Sequence, residues 1–241
     1  MTPPPPEAAG VAAPDGSPVE VFRLLPPGPA PGLVHAAVDP GTPILELGCG
    51  AGRLTRALVG LGHPVVAVDI CGAMLACLAG TAGVSTVEAD IAGLDLGRTF
   101  GGVVLASYLL NHPGAGSFLA TCRRHVADDG AVVVQRYDPW WAGEGMADAT
   151  TAGNVTVAVD AFSLTAAPPS PSGEPRCPSF SAVVTYTVGG RAWEQPISAV
   201  ILDDPDVGRL ALQADLVVDR WLDEHRTWAR LIPSPPPSAP A

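Results

Sequence analysis

The stretch ILELGCGAGRLTRAL begins at Ile44 and places glycines at positions 48, 50 and 52, with Glu46 two residues ahead of the first. A glycine turn between a strand and a helix lets the backbone approach a ligand closely and aims the helix N-terminus at it. The dinucleotide form of such a turn, G-x-G-x-x-G, requires a glycine where this chain has Arg53. A nearby carboxylate repels a pyrophosphate but attracts a ligand carrying an ammonium or a sulfonium. Asp69 follows Gly48 by 21 residues, close to the separation at which an acid accepts hydrogen bonds from ribose hydroxyls. Asp90 ends the next apolar segment, in EADI, where it could meet an adenine amino group.

A second group of side chains lies further on. SYLLNHP contributes Tyr108, Asn111 and His112, and QRYDPWW contributes Arg136, Tyr137, Trp140 and Trp141. Aromatic residues make up only 5% of the chain, so their gathering in two short segments marks a wall suited to a small planar or apolar acceptor. The same tryptophans could instead pack an adjoining sheet. His112 has the intrinsic pKa of a general base, with Tyr108 or Arg136 orienting the acceptor. The plainer reading makes His112 a loop histidine bonded to backbone and Tyr108 a packing residue. The five cysteines, Cys49, Cys71, Cys77, Cys122 and Cys177, are odd in number and share no metal-type spacing. They read as small buried residues in a reducing cytoplasm, and no metal is expected.

Regular elements must position these groups. From Pro43 onward, apolar strand segments (PILEL, PVVAVDI, VSTVEAD, FGGVVLASYLL, GAVVVQRYD) alternate with helical segments (GRLTRALVGLG, GAMLACLAGTAG, GSFLATCRRHVADDG). This alternation predicts a mostly parallel sheet with helices on both faces. Continuous runs such as VVAV and VVV fit strands covered on both sides. After Trp141 the period changes to two. NVTVAVDAFSLT, FSAVVTYTV and RAWEQPISAVIL read as three antiparallel strands, the last two joined at Gly189-Gly190. The Pro/Ser-rich loop between the first two, near 165 to 179, is expected to be mobile. DDPDVGRLALQAD returns to helix, with Asp203 or Asp204 as its cap, and LVVDRWLD and TWARLIP close the sheet. The expected organisation is a disordered tail over residues 1–18 and a single domain over 19–241. Within that domain an inserted β lobe, residues 153–202, covers the active site.

Composition narrows the partners. A formal net charge of −11, with no Lys/Arg-rich run, disfavours nucleic acid and anionic membrane surfaces. No run of about 20 apolar residues suggests a membrane span, and the N-terminus lacks the basic start and apolar core of a signal peptide. A cytoplasmic protein acting on a small molecule is expected, with a homodimer among the assemblies left open.

The segments LELGCGAGRLT, VVAVDICGAML, VEADIAGLDL and FGGVVLASYLLNHP, in this order and spacing, resemble the successive motifs of the class I S-adenosylmethionine-dependent methyltransferases. The resemblance covers about residues 40 to 140 and implies a Rossmann-like seven-stranded sheet with an antiparallel last strand. It also implies S-adenosylmethionine as cofactor and S-adenosylhomocysteine as product. Gly48, Cys49, Gly50 and Gly52 would pass under the methionine part. Glu46 would act near the ammonium, and Arg53 would meet the carboxylate unless it is simply an exposed helix arginine. Asp69 would hold the ribose, Ile70 and Met74 would pack near the adenine, and Asp90 with Ile91 would read it. Ala106 and Ser107 would offer backbone to the methionyl group. Asn111, Tyr137, Trp140 and Trp141 would meet the acceptor, and His112, Tyr108 and Arg136 would serve the transfer. The chain's composition resembles that of high-GC bacterial proteins, where such folds serve secondary metabolism. Two alternatives stay open: a cyclisation or rearrangement catalysed on the same fold, and a non-catalytic cofactor-binding subunit.

Overall fold

The computed structural model describes residues 10–139, 149–166 and 177–235. Its centre is a strand, β1 (Ile44–Leu47), buried along its whole length. The alternation of side chains along it divides the core. Ile44 joins the cluster under the helices α2 (Ala30–Ala37) and α3 (Arg53–Gly60), while Leu45 and Leu47 join the cluster under α5 (Ala115–His125) and α6 (Asp204–Gln213). β1 pairs in parallel with β2 (Val65–Asp69) on one side and β4 (Phe100–Leu105) on the other. β3 (Val84–Glu88) extends the sheet beyond β2, and β5 (Val126–Gln135) extends it beyond β4. β11 (Trp228–Pro233) runs antiparallel to both β5 and β10 (Leu216–Trp221), giving the order β10-β11-β5-β4-β1-β2-β3. The expected seven-stranded sheet with an antiparallel last strand is therefore present. Strand order reverses between β1 and β4, so the crevice at their carboxyl ends is where an open sheet of this kind takes its ligand.

The inserted lobe is a four-stranded antiparallel sheet rather than three strands. β6 (Thr150–Ala152), β7 (Val155–Thr165), β8 (Ser179–Val188) and β9 (Arg191–Val200) follow one another in space as in sequence. The β8–β9 turn falls at Gly189 and Gly190, both with positive φ. Part of the expected loop, residues 167–176, lies outside the described residues. The period-two pattern of FSAVVTYTV puts Phe180, Ala182, Val184 and Tyr186 on the buried face of β8.

That face receives the N-terminal segment. Residues 10–18, expected to be disordered, are instead tied to β9: the Gln195 amide donates to Ser17 Oγ at 2.9 Å, and Ser17 Oγ donates to Asp15 at 2.8 Å. Tyr186 donates to Gln195 Oε1 at 2.9 Å, so the network is closed. The short helix α1 (Val19–Phe22) buries Val21 against Tyr186 and Trp193 and sets Phe22 edge-on to Tyr186. A Pro/Ala/Gly-rich composition suggested disorder, but Val19, Val21 and Phe22 supply the apolar anchors that offset the ordering entropy. Of the expected tail, residues 1–9 lie outside the described residues.

Two other boundaries shift. α5 stops at His125 rather than Gly130 because the His125 ring turns back, facing Thr121 O with Nδ1 and accepting from Leu96 N–H with Nε2. α6 is capped by Asp203, which accepts from Asp206 N–H at 2.8 Å in a capping box, leaving Asp204 for other partners. The lobe is hooked to the parallel sheet by Asn111, which is fully buried. Its Nδ2 donates to Val200 O at 2.8 Å and its Oδ1 accepts from Tyr137 N–H at 2.9 Å. Asn111→Ala leaves both backbone groups without these partners. It should cost about 1–3 kcal/mol per unsatisfied group in chemical denaturation, and wild-type stability in that variant would show the hook to be dispensable.

Candidate functional site

Gly48, Gly50 and Gly52 all have positive φ, at 71°, 54° and 81°. A Cβ on Gly48 would stand 2.4 Å from Leu109 Cδ1, and one on Gly52 would stand 2.2 Å from Leu78 Cδ2. Conformation and crowding thus both require glycine there. Four of the turn's N–H donors are consumed inside the protein. Gly48 N–H and Cys49 N–H both reach Val68 O, at 2.8 and 2.9 Å, and Gly52 N–H reaches Cys49 O at 3.1 Å. Gly50 N–H donates to Asp69 Oδ2 at 2.7 Å. A phosphate cradle needs such N–H groups to be available. The N–H groups of Gly48, Cys49, Gly50 and Gly52 are already engaged, which agrees with the missing third glycine of the dinucleotide pattern.

Asp69 ends β2 and spans two loops, because its second oxygen accepts from Cys71 N–H at 2.9 Å. Each carboxylate oxygen retains acceptor capacity beyond these bonds, as a ribose contact requires. Ile70, next along the chain, is 53% exposed, an apolar face available to a flat ring. Asp90 Oδ1 accepts from Ala92 N–H at 2.8 Å on the neighbouring loop. Ile91 is buried, and its carbonyl is taken by Thr121 Oγ1 at 2.8 Å. Met74 and Cys71 pack together with Ala51 beneath the turn, so Met74 supports the site from below. Cys49 is also buried, and desolvation, then Glu46 and Asp69, pushes its thiol far above the usual range.

Glu46 projects from β1 toward α3 and is fully enclosed, accepting from the Thr55 hydroxyl at 2.6 Å. Thr55 was not singled out in the sequence; its position nine residues after Glu46, on the first turn of the helix, was the available signal. Burial pushes the Glu46 carboxyl up to about 7, against the Thr55 bond and the nearby charge of Arg53, with Asp69 adding to the rise. Arg53 makes no ion pair among the described residues, and its guanidinium reaches only Pro26 O, at 3.4 Å. A free cation beside a buried acid suits a zwitterionic amino-acid group.

The loop after β4 carries the remaining candidates. Ser107 and Tyr108 are both left-handed, at φ 54° and 62°. Tyr108 stacks on Tyr137 with ring centroids 4.0 Å apart and planes 7° apart. Tyr137 meets Phe180 of the lobe edge-on at 5.3 Å. Desolvation raises both phenol pKa values, so both remain protonated donors near neutrality. Ala106 is buried, and Ser107 N–H is taken by Gln135 Oε1 at 2.9 Å. Phe180 and Gln135 were missed in the sequence: one reads as an ordinary strand residue, the other only as a polar end to an apolar run. Trp140 and Trp141 lie outside the described residues.

Three expected roles need correction. His112 Nδ1 accepts from Gly114 N–H at 2.9 Å, and the ring stacks on Phe118 of α5. With that lone pair engaged, the neutral ring carries its proton on Nε2 and can only donate there. In this arrangement His112 shapes the turn into α5 and has no free basic nitrogen. Arg136 is 1% exposed. It donates to Arg226 O and Leu202 O, each at 2.8 Å, pairs with Asp204 at 2.5 Å, and lies 4.4 Å over the Trp221 ring. It is a brace between β5, α6 and the β10–β11 turn, not an acceptor ligand. Asn111 likewise spends its amide on the hook described above.

A polar cavity of about 150 Å³ beside Thr42, Gly101, Gly130 and Arg230 lies at the amino ends of β1, β4 and β5. It is at the opposite end of the sheet from every candidate above.

Residues 44–130 match the family model described as a methyltransferase domain, and the fold around them is that of the class I S-adenosylmethionine-dependent methyltransferases. Among solved structures, the CcbJ methyltransferase from Streptomyces caelestis is 21% identical, with 95% of this chain and 93% of that one covered at a TM-score of 0.63. The sugar N-methyltransferase KedS8 from a Streptoalloteichus species is 17% identical, with 98% and 99% covered and a TM-score of 0.63. CalS10 of Micromonospora echinaspora, an amino pentose methyltransferase solved with S-adenosylmethionine, is 19% identical, with 86% and 90% covered and a TM-score of 0.60. No curated protein sequence matches. Among the described residues no helix is long and apolar enough to cross a membrane.

The buried acid gives a pH test. Glu46 holds its proton more tightly folded, at about 7, than at its ordinary 4.5. The folded state therefore binds more protons between those values, and stability falls as pH rises through that window. The loss should be on the order of 3 kcal/mol. Glu46→Gln should flatten the dependence of denaturation midpoint on pH between 5 and 8, and an unchanged slope in the variant would place the titrating group elsewhere.

Proposed function

We propose that this chain transfers a methyl group from S-adenosylmethionine to a small-molecule acceptor seated against Tyr108 and Tyr137. The observation that carries the reading is the Asp69 junction. A carboxylate with spare acceptor capacity sits beside an exposed Ile70, next to a glycine turn whose glycine N–H groups are already engaged. These residues fit a nucleoside bearing an amino-acid tail: Asp69 for the ribose hydroxyls, Ile70 and Asp90 for the base, Arg53 for the carboxylate and Glu46 for the ammonium. When bound, the cofactor supplies an electrophilic methyl on a sulfonium. The protein's task is then alignment and exclusion of water. Tyr108 and Tyr137 provide a rigid apolar wall with hydroxyl donors, and the lobe, through Phe180, extends that wall and covers the site.

An amine is the acceptor class we favour. His112 has its basic lone pair engaged, and both phenols keep their protons, whereas a neutral amine needs no base before it attacks. The sugar N-methyltransferase KedS8 and the amino pentose methyltransferase CalS10 share this fold and support that choice by analogy. A bacterial source and a place in secondary metabolism fit the same company.

Calorimetry tests the cofactor half. The protein should bind S-adenosylmethionine and S-adenosylhomocysteine but not NAD, and Asp69→Ala should weaken both by roughly 1.5–3 kcal/mol. Preference for NAD, or no binding at all, would remove the reading. Transfer of radiolabelled methyl to a panel of amino sugars, set against their hydroxyl counterparts, tests the other half. Amino sugars should be labelled, and His112→Ala should keep turnover within about threefold, well short of the 10²–10⁴-fold loss of a general base. Binding without transfer to any acceptor would favour a non-methylating enzyme or a binding subunit.

A further inference from the structure

Two consecutive residues with side chains, Ser107 and Tyr108, adopt left-handed backbone at the mouth of the site. Such conformations persist only where the surroundings over-determine them. The neighbouring backbone bonds, Leu109 N–H to Ala106 O at 3.2 Å and Asn111 N–H to Tyr108 O at 2.9 Å, close the short helical turn that follows. The bend itself is gripped from the next strand. Gln135, the last residue of β5, accepts from Ser107 N–H at 2.9 Å through its side-chain oxygen. Because an N–H can only donate, the oxygen rather than the amide nitrogen of Gln135 must face it. Two residues later the same strand end supplies Tyr137, the ring on which Tyr108 stacks. One short segment therefore fixes both the backbone and the side chain of the Ser107–Tyr108 bend.

We infer that Gln135 is a positioning residue: its carboxamide oxygen holds the Ser107–Tyr108 bend in the conformation that presents this loop to the methyl donor and Tyr108 to the acceptor. The inference rests on the cofactor reading above for its functional consequence, but the brace can be read without any ligand. Gln135→Leu removes the acceptor oxygen at similar volume, and Gln135→Glu retains one. Amide hydrogen exchange of segment 106–110 in the protein alone should be about tenfold faster in Q135L and near wild type in Q135E. S-adenosylhomocysteine, measured by calorimetry, should bind about tenfold more weakly to Q135L, with Q135E near wild type. Adding Ser107→Gly to Q135L should recover that affinity, because glycine takes the left-handed conformation without a side-chain penalty. A merely structural loss at Gln135 would not be rescued this way. Wild-type exchange and affinity in Q135L, or a Q135E as impaired as Q135L, would overturn the inference. Failure of the unsubstituted protein to bind S-adenosylhomocysteine would overturn the cofactor reading instead, with the exchange measurement still deciding the brace.

Discussion

The geometry of the candidate site depends on one carboxylate. Asp69 holds Gly50 N–H with one oxygen and Cys71 N–H with the other. It therefore locks the turn after β1 to the turn after β2. Charge-assisted bonds of this kind are the stronger ones, and here they join two loops that sheet pairing alone leaves free. With the β1 turn pulled against β2, Gly48 and Cys49 can direct their N–H groups at Val68 O. At Gly48 and Gly52 the bend then leaves no room for a Cβ. Its glycines expose backbone rather than side chains, and four of the turn's N–H groups are already engaged.

Much of this was legible in the sequence because it rests on residues with few substitutes. Left-handed turns favour glycine, and parallel strands covered on both faces require unbroken apolar runs. The turn at Gly48, Gly50 and Gly52 and the β1 to β5 alternation were readable for those reasons, and so was the β8–β9 hairpin at Gly189 and Gly190. Arg136, His112 and Asn111 were misread because residue type does not reveal direction. A polar side chain at the end of a strand can point into the site or back into the frame. Arg136 goes to the frame because Leu202 O and Arg226 O, supplied by segments about 70 to 90 residues later, need donors there. Such long-range demands have no local period. The N-terminal segment was misjudged for a related reason: its composition suggests disorder, and only the buried face of β8 shows what it covers.

The same polar side chains explain how the two sheets are joined. The buried clusters of the parallel sheet and those of the lobe are separate. Asn111 connects them, together with the contact of Tyr137 on Phe180. The N-terminal strap adds a second connection, with Phe22 touching Tyr186 of the lobe while also packing into the cluster beneath the glycine turn. Polar hooks and a few rings give orientation with less apolar burial than a continuous core would. This is the kind of joint at which relative motion of two units is the default. The ring contacts span it, with Tyr108 and Tyr137 on one side and Phe180 on the other.

Glu46 shows how ligand charge and protein protonation are linked at this site. Its carboxyl sits behind the glycine turn, and burial raises its pKa toward neutrality even with Arg53 and Thr55 acting in the opposite direction. A buried acid in that condition holds its proton to higher pH than an exposed carboxyl does. A cation brought to the turn favours the ionised form, so binding such a ligand draws the proton off. A neutral or anionic ligand draws off none and meets the desolvated charge unfavourably. In the reading proposed above, a preference for a positively charged ligand would follow from the burial of this one side chain. The same burial forbids Glu46 a role at the acceptor, since Thr55 and the turn enclose it. In the reading proposed above, catalysis then rests on alignment by the Ser107–Tyr108 bend and the Tyr108–Tyr137 rings. An already nucleophilic acceptor suits that division of labour, because nothing at this bend has to remove a proton before the bond forms.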